Sequence, residues 1–153
     1  MERRRITLWW PLTNALVDFL NEQKTEEGTP LFDGVPIYPG TKGTAKKDYP
    51  CIEISYDEEG RFDLATNYKG NTRLWVDVWV KSHSSAPADA FQLQDDLQER
   101  LLSCLVDWPD YIREHLGVAA HISVDQIISD GEIYRPTMAA RIVLNIDWRI
   151  ERR

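Results

Sequence analysis

Residues 137–153 read TMAARIVLNIDWRIERR, and their alternation is the strongest structural signal in the chain. Alternate positions from Met138 to Ile150 are apolar, and the positions between them are mostly polar. A period of two indicates one extended strand with an apolar face and a more polar face. Strands usually have about five or six residues, so this one is long for a domain of this size. We therefore expect a strand that is shared with a partner subunit.

Three other segments also have strand character, and they cover residues 51–57, 71–81 and 120–128. The first is followed by a turn, predicted from the residues Asp57-Glu58-Glu59-Gly60. The last changes phase near Asp125, which indicates a bulge. Residues 61–70 show no sustained period and form either a protruding hairpin or a mobile arm. Residues 31–50 are rich in proline and glycine, so we expect one short edge strand there at most.

Helical spacing of apolar residues predicts two principal helices, over residues 9–23 and about 90–105. A short third helix follows over residues 110–116, opened by Pro109 and ended by Gly117. Strands grouped around helices and joined mostly by hairpins indicate an α+β fold. We expect a single domain over residues 1–153, with about four main strands in one mostly antiparallel sheet and the helices packed on it.

The composition of the chain argues against a membrane-spanning or a secreted protein. The chain has 153 residues, of which 42% are hydrophobic, and a net charge of −7. No run of about eighteen apolar residues is present, and the amino terminus lacks the apolar stretch of a signal peptide, so we expect an intracellular protein with no membrane contact. The two cysteines, Cys51 and Cys104, lie in a strand pattern and on an apolar helical stripe, so we expect small core residues rather than a disulfide.

Signatures of catalysis are missing from the sequence. The three histidines, His83, His115 and His121, form no metal-binding pair, and no glycine-rich phosphate loop joins a strand to a helix. We therefore expect no catalytic, cofactor or metal site. One alternative remains open at this stage: Asp77 and Asp147 project from strands and could hold a divalent cation, as in a small nuclease. A sheet face with salt bridges to neighbouring arginines explains the same residues.

The aromatic residues carry more information about function. Trp75 and Trp79 lie on the side of their strand opposite to the valines, so that strand has apolar character on both faces. Either one helix covers each face, or a neighbouring subunit covers the second face. Tryptophan and arginine are enriched at protein interfaces. We predict a subunit interface formed by the following residues: Trp75, Trp79, Arg73, Arg141 and Arg149.

Charge is unevenly distributed along the chain. Arginines are concentrated at both ends, in residues 3–5 and 149–153, while the rest of the chain is acidic. An acidic body repels a phosphate backbone, which argues against a general nucleic-acid binder. The basic ends either meet an acidic surface of a neighbouring subunit or are simply solvated.

The order of elements resembles that of the tail terminator, or tail-completion, proteins of long-tailed bacteriophages. The resemblance covers residues 12–150 and is carried by the strand at 72–80, the helix at 90–105 and the closing strand at 141–148. It implies a hexameric ring without cofactor or catalysis, which caps the tail tube and provides the docking surface for the head. The implied partners are other copies of the chain, the tail tube protein and head–neck connector proteins, with DNA only passing through.

The same resemblance implies a location in the host cytoplasm during assembly and then in the virion tail. The irregular region at residues 24–50 departs from the family pattern and leaves a neck or minor tail role open. Two other classes also remain open: a small metal-dependent nuclease and a free-standing protein-binding adaptor. The mass in solution discriminates between these classes, because a ring is expected only for a tail terminator protein.

Overall fold

The computed structural model describes residues 8–40, 48–63, 69–81, 87–129 and 137–150. These contain α1 (Trp9–Glu22), β1 (Ile37–Pro39), β2 (Cys51–Asp63), β3 (Lys69–Lys81), α2 (Pro87–Leu105), α3 (Trp108–Leu116), β4 (Val118–Ser129) and β5 (Thr137–Ile150). All five strands belong to one sheet in the order β1-β2-β3-β5-β4. The short edge strand β1 is parallel to β2, and every other pairing is antiparallel. The predicted α+β fold is confirmed.

The long final strand, β5, lies inside the sheet and uses its length within its own chain. It pairs with β3 from Thr137↔Lys81 to Arg149↔Lys69, and with β4 from Ala140↔Ser129 to Ile150↔Val118. A partner subunit as the explanation of its length was therefore wrong. The physical reason is that β3 and β4 are nearly as long as β5, so residues 140–149 of β5 have a register partner on each side.

The core lies between the three helices and one face of the sheet. Leu12, Leu16 and Leu20 recur at helical spacing along α1 and are buried against the apolar sides of β2 and β3. The inner stripe of α2, with Leu97 and Leu101, joins the same hydrophobic cluster. Trp108 and Ile112 of α3 complete it. Burial of these side chains is the main source of stability, since it removes their apolar surface from water.

Irregular positions in the strands were only partly predicted. The bulge expected near Asp125 is confirmed by a register shift between Val124 and Gln126. The turn expected at residues 57–60 was wrong, because β2 continues through them with a register shift between Tyr56 and Gly60. The β2–β3 hairpin therefore extends to Asp63 and Lys69. Of residues 61–70, predicted as a protruding hairpin or a mobile arm, residues 61–63 and 69–70 belong to β2 and β3, and residues 64–68 lie outside the described residues.

A helix-free sheet face as candidate interface

One face of the sheet points away from α1, α2 and α3, and we call it the open face. Alternation along β3 and β5 assigns residues to it: on β3 Asn71, Arg73, Trp75, Asp77 and Trp79; on β5 Ala139, Arg141, Val143, Asn145, Asp147 and Arg149. The hydrophobic cluster that contains the helices includes only strand residues of the opposite face. In the part of the chain that the structure describes, no helix packs on the open face.

All five residues predicted as a subunit interface lie on the open face, on adjacent strands. Arg73, Trp75 and Trp79 belong to β3, while Arg141 and Arg149 belong to β5. The alternative in which one helix covers each sheet face was wrong for the described residues, because the helices share a single core on the other side. Trp75 and Trp79 are half-buried.

An ion pair with an aromatic neighbour occupies the centre of the open face. Arg141 donates from Nε to Asp77 Oδ1 at 2.8 Å and from Nη2 to Asp77 Oδ2 at 3.0 Å. The same guanidinium lies 4.1 Å from the centroid of the Trp75 ring. The hydrogen bonds to Asp77 raise the pKa of Arg141 above its ordinary value. Bidentate pairing and stacking together hold the arginine flat against the sheet.

Two acidic side chains face each other in the same row of the sheet. Glu53 of β2 is directly opposite Asp77 of β3, and the two residues are only 2% and 8% exposed. Like charges directly opposite each other are unfavourable in a sheet, and burial increases the cost. Arg141 supplies the compensating positive charge for Asp77. Sequence reasoning missed Glu53, although its place in the alternation of residues 51–57 puts it in line with this row.

The apolar part of the open face reaches the edge of the sheet. Ile128 of the edge strand β4 is directly opposite Arg141 and is 46% exposed. Val143, next to Trp75 in the register, is buried. Sequence reasoning also missed Ile128, because the bulge at Asp125 moves it from one face of the sheet to the other. The open face thus combines tryptophan, isoleucine and a fixed arginine, side chains that suit a protein contact.

The geometry does not favour a metal site at Asp77 and Asp147. Arg141 is the register partner of Asp77, and Asp147 lies six positions further along β5, roughly 20 Å away at ~3.3 Å per residue. Asp147 instead accepts a hydrogen bond from Asn71 Nδ2 at 2.7 Å. Among the described residues, no group of three or more metal-ligating side chains is present. A single cation cannot bridge the two carboxylates.

Both cysteines are buried and neither forms a disulfide, as expected. Burial raises the pKa of the Cys104 thiol, and the nearby charge of Asp107 acts in the same direction. A raised thiol pKa lowers the fraction of reactive thiolate.

Within the described ranges, no helix is both long and apolar enough to cross a membrane.

Comparison of the sequence with models of protein families gives no match, and comparison with curated proteins gives no significant match.

Proposed function

We propose that this protein is a structural subunit that associates with copies of itself through the open face. The observation that carries this proposal is the position of Trp75 and Trp79 on a sheet face that no described helix covers. Half-buried tryptophans gain further apolar burial only if another surface packs on them. The exposed Ile128 extends the same surface to the sheet edge.

The rest of the open face is suited to a specific contact rather than to loose adhesion. Arg141 is held in place by Asp77, so little side-chain entropy remains to be lost when a partner binds. Arg73 is held in a similar way, since its Nη2 lies 2.8 Å from Asp125 Oδ2. Ordered arginines beside tryptophans are typical of residues that contribute most to binding energy.

The resemblance to tail terminator proteins suggests the assembly in which this contact is used. In the proposed function the chain forms a hexameric ring in the host cytoplasm, caps the tail tube, joins it to the head–neck connector and remains in the virion tail. The ring needs no catalysis and no cofactor. An overall net charge of −7 supports such a role, because an acidic ring allows DNA to pass without binding tightly.

Light scattering over a range of concentrations, together with native mass spectrometry, tests self-association. We expect a concentration-dependent species of six copies and ring-shaped particles by negative-stain microscopy. Added to polymerising tail tube protein, the ring should shorten the tubes and remain at one end. A chain that stays monomeric at high concentration would contradict the proposal.

The nuclease alternative has its own direct test. Incubation of the protein with DNA and Mg²⁺ or Mn²⁺ should leave the DNA intact, since the two candidate carboxylates are too far apart to share a cation. Cleavage that is lost in both Asp77→Asn and Asp147→Asn would favour the enzyme instead. An adaptor module would remain monomeric and leave the DNA uncut.

A further inference from the structure

Positive charge is concentrated at the end of the sheet where β3 begins and β5 ends. Lys69 and Arg149 are directly opposite each other in the register. Together with Arg113 of α3 they line a cavity of about 780 Å³, which we call the basic cavity. Among the described residues that line it, Asp147 is the only acidic one.

Among the described residues, the two opposed cations have one acidic register neighbour, Asp63 of β2, which is directly opposite Lys69. Neither Lys69 nor Arg149 forms an ion pair among the described residues, although both belong to a protein with a net charge of −7. Like charges directly opposite each other destabilise a strand pair, and this pair borders the basic cavity, which is open to solvent. An anionic group placed in the cavity would remove this repulsion.

A matching negative surface is present on α2. Its exposed side carries four carboxylates: Asp89, Asp95, Asp96 and Glu99. At about 100° per residue these fall within one arc, opposite to the buried stripe of Leu97 and Leu101. None of the four forms an ion pair in the part of the chain that the structure describes. Arg100, at the margin of this arc, donates to the backbone oxygen of Leu31 at 3.2 Å.

We propose that the acidic face of α2 in one copy docks at the basic cavity of the next copy. This inference rests on the proposed self-association and specifies which surfaces meet in it. The two surfaces are different, so the contact is head-to-tail, the type that closes into rings. The basic cavity is continuous with the open face through Arg149, which belongs to both.

A second copy fits the cavity better than a nucleic acid does. A polyanionic duplex would be repelled by the acidic body of the chain, including the acidic face of α2 itself. A folded helix instead presents a few carboxylates on a compact surface. The contact covers this acidic face, so one interaction neutralises two sets of charge that form no ion pairs among the described residues.

Charge reversal of each surface tests the contact. The first variant carries Lys69→Glu with Arg149→Glu, and the second carries Asp95→Lys with Glu99→Lys. All four residues are exposed, and circular dichroism checks that both variants fold normally. Alone, each should raise the dissociation constant between copies by at least about tenfold, because like charges then meet across the contact.

An equimolar mixture of the two variants should recover the wild-type mass with strict alternation of the two chains. In that mixture every cavity meets a helix of opposite charge. A control with Lys24→Glu changes the net charge half as much as the first variant does, at an exposed position outside both the open face and the lining of the cavity. The control should associate like the wild type.

Three results would overturn the inference while leaving self-association intact. These are unchanged association of the first variant, weakening of the control to the same degree, and failure of the mixture to recover assembly. If a fluorescent DNA duplex bound to the wild type but not to the first variant, nucleic acid and not the helix would be the occupant of the basic cavity. A wild-type chain that stays monomeric would overturn both this inference and the proposed function.

Discussion

Arg141 holds Asp77 by two hydrogen bonds, of 2.8 and 3.0 Å, between neighbouring strands of the open face. The two residues are 64 positions apart in the chain but directly opposite each other in the β3–β5 register. Glu53 is opposite Asp77 on the other neighbouring strand. The guanidinium of Arg141 therefore supplies the positive charge in a row that contains two acidic residues. The pair therefore matters for the stability of the folded chain as well as for the shape of its surface.

Replacing Arg141 by methionine should lower the free energy of unfolding by about 1–3 kcal/mol, because Asp77 is left buried without its ionic partner. Methionine retains much of the length of the arginine side chain, so lost packing contributes little. Urea unfolding at a concentration where the chain is monomeric measures the effect.

The matched control for this change is Arg141→Met combined with Asp77→Asn. Removing both charges avoids a buried, unpaired carboxylate, so the double variant should regain much of the lost stability. A double variant as unstable as Arg141→Met alone would show that the ion pair is not the cause.

Truncation of both open-face tryptophans, Trp75→Ala with Trp79→Ala, should weaken self-association more than it weakens folding. Each ring is half-buried in the subunit, so the monomer loses only part of the apolar burial that a core ring provides. Trp108→Ala is the control, because this fully buried ring should cost about 3–5 kcal/mol of stability on truncation. Oligomer mass and thermal midpoint are measured for both variants. A double variant without any soluble monomer would count against the interface.

Period-two alternation was sufficient to predict which residues share the open face. Trp75, Trp79 and Arg141 could be assigned to faces because side-chain direction in a strand depends only on local geometry. Helix ends were predicted for a similar reason. Gly117, which ends α3, adopts φ 65°, a conformation that glycine tolerates and other residues rarely do.

Contacts between distant segments could not be read in the same way. The pairing of Arg141 with Asp77 depends on the register between β3 and β5, which is a property of the whole sheet. The segment at residues 57–60 was interpreted as a turn because turns and strand bulges use the same residue types. The basic cavity is lined by residues of α3 and of three strands, so no local sequence pattern could predict it.

A hydrogen bond buried in the core should contribute to the free energy of unfolding. Trp148 Nε1 donates to Thr72 Oγ1 at 2.9 Å, between side chains that are both buried. Thr72→Val keeps the shape of the side chain but removes this acceptor, so it should cost about 1–3 kcal/mol in urea unfolding. Thr72→Ser keeps the hydroxyl and loses only a methyl group, at a cost of about 1 kcal/mol. Equal stability of the valine variant and the wild type would contradict this role of the hydroxyl.

Alkaline pH should reveal the environment of Tyr111. Burial raises the pKa of Tyr111 above its ordinary value of 10.0, and the negative charges of Glu22 and Asp18 act in the same direction. The unfolded chain therefore loses this proton at a lower pH than the folded chain does. The associated stability is complete below pH 10.0 and is lost as the pH rises from there through the folded-state pKa.

Tyr111→Phe removes this titration and should flatten the alkaline decline of the thermal midpoint relative to the wild type. At neutral pH the variant should lose little stability, because the hydrogen bond from Tyr111 Oη to Glu22 Oε1 is long, at 3.4 Å. Packing against Phe19, at 5.3 Å between ring centroids, is kept by phenylalanine. Thermal unfolding from pH 7 to 11 gives the comparison. Parallel curves for the two proteins would show that Tyr111 titrates alike in the folded and unfolded chains.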